Sequence, residues 1–387
     1  MNKAMYQLKF LESTENLKEV LSTNAGRSVS YGLCNNIMAC LEQGRSFFET
    51  AEVSPLEIRP LIVFYGMMGF ARAVIMARTL KNLETLPRRH GLQDVSPNGT
   101  TLDSLVLKVT TNGTFNAMND SVRNLEKFIV HKDSEINFVR QPTAQSQAFS
   151  NRTFTLREIL ARIYGIRDHY LDTYGENAKV VGCSHFSGGT VESHQFFDFE
   201  VFTEGTFKSK EDLLQVVRDL RDRFTFLKNW GFEYAGRAGG FISIRFTNQK
   251  YAGQDPIDSS DVIVAVLSVD SYGCATQRNG TPPVYDDDIL SKTAPICGGL
   301  SADRNTHIIE PIDGIFLSEL TLFYMGMFLL GSLVRYRPDV WSNVLSRRAV
   351  SNNPVGDKAL SLIEHFIEIS LSSFPQFIGT VIKEPFP

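Results

Sequence analysis

The chain is poor in cysteine, and none of its cysteines are paired for chemistry. Five occur in 387 residues, at positions 34, 40, 183, 274 and 297, an odd number with no C-x-x-C spacing. That pattern argues against a disulfide framework and against a cysteine zinc site, and it makes a reducing cytoplasm the expected compartment. The chain also lacks an excess of one charge: 39 basic and 43 acidic residues leave a net charge of −4. No global electrostatic drive toward nucleic acid or acidic membranes follows, and only a local patch can supply one. The N-terminal stretch has no basic region followed by an apolar one, so no signal peptide is expected.

Long apolar runs are scarce too. Ile315–Val334 alone reaches the length of a membrane span, and it carries Ser318, Glu319, Thr321 and Ser332. A carboxylate inside a span is costly in lipid, so the run is predicted to be a buried core helix, and no membrane partner is expected. Its end is marked by Arg335-Tyr336-Arg337-Pro338, because a proline cannot donate a backbone bond and disfavours helix at the residue before it.

What is present is the composition of a folded protein, 43% hydrophobic and 21% charged. The first third reads as helix. Leu33–Thr50 carries a helical apolar stripe, and Ser54-Pro55-Leu56-Glu57 has the form of a capping box opening the next helix. Leu61–Leu80 places Gly66, Gly69, Ala73 and Ala77 at helical spacing, a small-residue stripe expected to meet Ile315–Val334. The middle alternates β-prone runs (Leu105–Thr111, Phe128–His131, Phe196–Phe202, Phe241–Phe246, Val262–Val269) with two helices, Leu156–Tyr174 and Leu213–Trp230. Thr155-Leu-Arg-Glu158 is the capping box of the first. Helix returns over Leu317–Tyr336 and Asp357–Leu371.

The predicted fold class is therefore α+β: a helical bundle formed by the N- and C-terminal segments, with an inserted mixed α/β region. The expected units are 1–100, 101–305 and 306–387, the last packing on the first.

Several constellations carry chemistry. Arg335 and Arg337 with Tyr336 and Trp341 put two guanidiniums and two aromatics at one helix end, a set suited to phosphate contacts and stacking. His90, after Arg88-Arg89, joins that patch if the two apolar helices pack. The competing account is a structural corner: Tyr336 and Trp341 pack, and the arginines cap helix carbonyls and pair with Glu319 or Asp339. Cys183, His185 and His194 flank a Ser187-Gly188-Gly189 turn and match no zinc spacing. Gly236-Arg237-Ala-Gly239-Gly240 lacks the context of a phosphate loop and reads as a turn. Asp286-Asp287-Asp288 with Asp303 lacks calcium-loop spacing and reads as an exposed loop. No metal and no cofactor are expected.

Three segments carry a resemblance. Ser54-Pro55-Leu56…Arg59-Pro60-Leu61-Ile62-Val63-Phe64-Tyr65-Gly66-Met67 is followed by His90-Gly91-Leu92. Phe154-Thr155-Leu156-Arg157-Glu158-Ile159-Leu160-Ala161-Arg162-Ile163 is the second. Leu329–Leu333 runs into Arg335-Tyr336-Arg337-Pro338…Trp341, with the Leu362–Phe374 helix after it. Together they resemble the YaaC-like family of bacterial proteins, from about residue 45 to the end. The resemblance implies an intracellular bacterial protein and transfers no activity. The early helix pair is also similar to HEPN-type bundles, whose ribonucleases set an arginine and a histidine on one helix face; here that implies Arg162 and His169, seven positions apart.

The leading expectation is a non-catalytic binding or assembly component, of a defence or nucleotide-linked system, with a protein partner or a second copy of itself. The alternatives are a HEPN-type ribonuclease using Arg162 and His169, and a nucleotide-handling enzyme anchored by Arg335 and Arg337. Nucleotide and RNA remain the ligands to weigh.

Overall fold

The computed structural model describes residues 8–98, 101–122, 126–132, 135–141, 144–191, 194–204, 210–224, 227, 231–238, 241–247, 249–251, 283–285, 296–297, 306–346 and 356–383. The run Val262–Val269 and the acidic groups Asp286–Asp288 and Asp303 lie outside them.

Helices α1 (Thr14–Ala25), α2 (Tyr31–Val53) and α3 (Arg59–Thr79) open the fold. Ser13 and Ser30 cap the first two by accepting from Asn16 N and Leu33 N, which satisfies amides that a helix start leaves unpaired. The capping box expected at Ser54 is not used. Ser54 ends α2, its hydroxyl donating to Thr50 O at 2.7 Å, and α3 begins later, with Pro60 in its first turn. Pro60 thus starts a helix rather than kinking one, since a first-turn residue needs no amide proton.

Helix α3 is the centre of the molecule, packing on α2, on α4 (Thr114–Val122), on α8 (Glu319–Tyr336) and on α10 (Gly356–Lys383). Its two sides meet different partners. The glycine side faces α2, where a Cβ on Gly66 would fall on the Phe48 ring and one on Gly69 would come within 3.1 Å of Gly44 N. The expected pairing of α3 with α8 is present, but it runs through Phe64, whose ring meets Tyr324 at 5.4 Å and Phe328 at 5.5 Å. The small residues let α2 come close because its own Gly44 faces them. Each buried Leu or Phe in this packing stabilises by about 2 kcal/mol.

Among the described residues one helix, α3, is long and apolar enough to cross a membrane, and 72% of its most apolar window is buried inside the protein. The run singled out for its length, Ile315–Val334, becomes a buried helix only from Glu319. Ser318 caps it, and it ends where Pro338 begins α9 (Pro338–Leu345). Helix α10 continues through Pro375 to Lys383, past the end expected near Phe374. Phe374, Phe377 and Ile378 are buried around that proline, so packing on both sides offsets the lost hydrogen bond.

The strands are antiparallel. A three-stranded sheet orders β1 (Leu92–Asp94), β2 (Val106–Val109) and β5 (Thr153–Thr155). Its buried residues Leu92, Leu107, Val109 and Phe154 belong to the same core as the helices. β3 (Glu126–Lys132) and β4 (Glu135–Gln141) form a hairpin, and β10 (Gln249–Tyr251) pairs with β11 (Pro283–Tyr285). Six strands form the large sheet, in the order β12 (Ile296–Cys297), β13 (Thr306–Ile309), β6 (Val180–Val191), β7 (His194–Glu204), β9 (Phe241–Thr247) and β8 (Gly231–Ala238). The Ser187-Gly188-Gly189 segment is not a turn: it lies within β6, opposite Phe197 and its neighbours, and the chain reverses between Val191 and His194. Likewise Gly236 sits inside β8, at an irregularity in its pairing with β9. Helix α7 (Lys210–Arg223) connects β7 to β8. The protein is an α+β molecule built on a helical bundle.

Candidate functional site

The predicted Leu156–Tyr174 helix is broken in two. α5 (Leu156–Leu160) starts at the expected box, with Glu158 N donating to Thr155 Oγ1 at 3.1 Å and Thr155 N to Glu158 Oε2 at 2.8 Å. A 3-10 turn over Tyr164–Ile166 follows, then α6 (Arg167–Tyr174). Arg162 therefore does not share a helix face with His169. It is 7% exposed and donates to three carbonyls: Glu158 O at 2.9 Å, Glu310 O at 2.6 Å and Pro311 O at 3.0 Å. It clamps α5 to the strand that leaves the large sheet. His169 instead stacks on His365 of α10, with ring centres 4.2 Å apart.

The same separation of roles divides the C-terminal corner. Arg337 donates to Ser96 O at 2.6 Å and Pro97 O at 3.0 Å, and its Nε lies 3.4 Å from Asp94 Oδ2. Asp94 also accepts from Ser332 Oγ at 2.7 Å and from Ser96 N and Oγ. Burial raises the Asp94 pKa, but the Ser96 and Ser332 hydrogen bonds and the Arg337 charge outweigh it, and the net shift is downward. Trp341 is 3% exposed and donates Nε1–H to Glu57 O at 2.9 Å. These two residues make a structural corner, with Asp94 as the acid in place of the expected Glu319 or Asp339 and with loop carbonyls in place of helix carbonyls. Glu319 sits instead 3.6 Å from Nε2 of His307, a fully buried residue of β13 stacked on Tyr164.

Tyr336 departs from the corner. It was expected to pack, yet it is 67% exposed, with the Arg335 guanidinium 4.7 Å above its ring. On the same face of α8, at spacings of four, three and four, lie Tyr324, Phe328, Gly331 and Arg335.

His90 stands against this face. Its ring is 5.7 Å from Phe64 and 6.3 Å from Phe328. The loop that carries it is pinned to the start of α4, where Thr114 N and Phe115 N donate to Arg89 O and His90 O. Gly91 is required there: its φ is +85° and a Cβ on it would lie 2.5 Å from Asn116 Oδ1, while a Cβ on the facing Gly113 would fall on the Gly91 backbone. His90 is half-buried, and its pKa is lowered by burial first and then by Arg335 and Arg72. Among the described residues, neither Arg72 nor Arg335 is ion-paired with a carboxylate. His90 thus feels two cations that no ion pair with a carboxylate offsets among the described residues.

Arg335 lies over the exposed Tyr336 ring and its charge reaches His90, whereas Arg337 and Trp341 are held in the fold. Arg72 and Tyr324 were missed as site residues. The four–three–four spacing that ends at Arg335 was the available signal, because it names the α8 face that His90 meets. No group of three or more potential metal ligands occurs among the described residues. Cys34 and Cys40 are buried, and burial raises both thiols, which makes them poor nucleophiles.

A family model described as YaaC-like Protein matches residues 2–382. The chain belongs to the YaaC-like family. No curated protein and no solved structure matches it.

Proposed function

We propose that this YaaC-like protein is a non-catalytic binding or assembly component of the cytoplasm that recognises a phosphate-bearing ligand, a nucleotide, at Arg335, Tyr336 and His90. The observation that carries the reading is the uncompensated positive charge around His90, set beside an exposed aromatic ring. A guanidinium without a carboxylate is free to form paired hydrogen bonds with phosphate oxygens. An exposed Tyr offers a face for a base at low entropic cost.

A binding role fits the chemistry better than catalysis. Each Arg162 nitrogen already donates to a carbonyl and the side chain is buried, which leaves the Arg162–His169 ribonuclease without a free cationic partner for the RNA backbone. Arg337 is likewise committed, so the second arginine of a two-arginine phosphate anchor is unavailable, and Arg72 takes its place beside His90.

The test is a thermal-shift screen of the purified protein against nucleotides, short RNAs and divalent cations. A nucleotide at one hundred times its Kd stabilises the folded state by about 2.7 kcal/mol. A clear rise in Tm with a nucleotide, lost in Arg335→Ala, is the expected outcome. No rise with any nucleotide, or a rise that survives Arg335→Ala, would contradict the reading; a protein partner or a second copy of the chain would then be sought by pull-down and light scattering.

A further inference from the structure

Among the described residues, two buried polar atoms in the packing around His90 have no hydrogen-bond partner. Tyr324 is fully buried on α8, and its hydroxyl is unpaired. Asn116, buried on α4, donates Nδ2–H to Thr110 O at 2.9 Å, while its Oδ1 accepts nothing. Buried side-chain polar atoms are nearly always paired, so two orphans in one neighbourhood call for a partner from outside the chain.

Both orphans are one residue removed from His90. Phe64 packs on Tyr324 and on His90, with ring centres 5.4 and 5.7 Å apart. Phe115, next to Asn116, packs on Tyr324 at 6.1 Å. A Cβ added to Gly91, the residue after His90, would lie 2.5 Å from Asn116 Oδ1. Arg72, on α3 two turns after Phe64, is the basic residue whose charge is felt at both His90 and Tyr324, and among the described residues it makes no hydrogen bond or ion pair.

We infer that the site continues inward from Arg335, with the phosphate group of the ligand held beneath His90 by the Arg72 guanidinium and the Tyr324 hydroxyl. This rests on the nucleotide-binding reading above and adds its inner floor. Arg72 offers a planar fork of N–H donors, and Tyr324 offers one O–H, so both complement an oxyanion. Asn116 Oδ1 accepts, and it suits a hydroxyl or N–H of the same ligand. The aromatic rings of Phe64, Phe328 and Phe115 exclude water around these donors, which strengthens each charge-assisted bond. The ligand class is a small nucleotide bearing a terminal phosphate, and its phosphate is the group recognised.

The test is calorimetric titration of nucleoside 5′-monophosphates, the matching nucleosides and inorganic phosphate into the wild-type chain and into Tyr324→Phe, Arg72→Gln and Arg335→Ala. The expected result is binding of a monophosphate but not of its nucleoside, with Kd raised about tenfold or more in Tyr324→Phe and in Arg72→Gln. Ligand-free Tyr324→Phe should melt at or above the wild-type temperature, because the change deletes an unpaired buried hydroxyl. That pair of effects separates a binding group from a structural one. Inorganic phosphate binding as tightly as the monophosphates would support the phosphate grip and identify free phosphate as the source. If Arg335→Ala weakens binding while Tyr324→Phe and Arg72→Gln leave Kd unchanged, the inner floor is wrong and the proposed function stands. If Tyr324→Phe melts several degrees lower, its hydroxyl has a structural partner and the inference fails. Wild-type protein that binds none of these ligands overturns both readings.

Discussion

Arg335 and Arg337 sit two residues apart at the end of one helix, and their surroundings are opposite. Arg337 meets two loop carbonyls and a carboxylate that is itself held by Ser96 and Ser332. Arg335 lies over an exposed ring, its charge lowers the pKa of a half-buried imidazole, and among the described residues it pairs with no acid. Both profit from the negative end of the helix, so the helix dipole does not separate them. The number of fixed acceptors does. An arginine ringed by carbonyls is part of the fold, and an arginine with no fixed acceptor is the one proposed above to meet an anion. Arg162, with three carbonyl acceptors, is a second instance of the first kind.

The largest expected effect belongs to Arg162. Arg162→Ala leaves three acceptors without their donor in a buried setting, a loss of about 3 kcal/mol or more, read as a lower urea midpoint at neutral pH. A variant as stable as the wild type would mean that the clamp contributes nothing and would return Arg162 to the pool of functional candidates. Arg337→Ala comes next, at about 2 kcal/mol, because its acceptors are closer to solvent.

The smallest effect is a dependence on pH. The His90 pKa is lowered in the fold, so the unfolded chain takes up its proton first. Ligand-free stability should therefore decline as pH falls below about 6.5. A bound phosphate reverses the balance around Arg72, His90 and Arg335 and favours the imidazolium. Affinity for a nucleotide should rise over the same interval, and His90→Gln should flatten the profile. A profile unchanged by His90→Gln would remove His90 from the site.

Much of the fold was legible where the signal was local. The Thr155–Glu158 box, the proline stop after Arg337 and the runs that became β2, β3, β7 and β9 each depend on residues within a few positions of one another. The failures share a cause, which is that the deciding partner is remote. The Leu156–Tyr174 helix breaks because Arg162 answers carbonyls at positions 310 and 311, nearly 150 residues away. The small-residue stripe of α3 chose α2 because Gly44 lies there, and nothing within Leu61–Leu80 says so. Ser54 reads as a cap for the helix after it and serves the helix before it, since α3 starts later, where the Arg59 and Leu61 amides donate to Pro55 O and Ile58 O and Pro60 has no amide proton to satisfy. Arg337 is set apart from Arg335 by Asp94 and by the Ser96 and Pro97 carbonyls, none of which carries a sequence mark of its role. Of the candidate site, His90, Arg335 and Tyr336 were visible as residue types near two apolar helices. Arg72 and Tyr324 were hidden inside those helices, where a polar atom announces itself only when the fold leaves it unpaired.

The division of labour between the two neighbouring arginines is tested most directly by one measurement: the urea midpoints of Arg335→Ala and Arg337→Ala, side by side with the wild type, with and without a saturating nucleotide. The account expects Arg337→Ala to lower the midpoint without ligand while keeping the rise that ligand produces. It expects Arg335→Ala to match the wild type within about 0.5 kcal/mol without ligand and to lose that rise. Equal destabilisation by both variants, with the ligand-induced rise intact in Arg335→Ala, would contradict it.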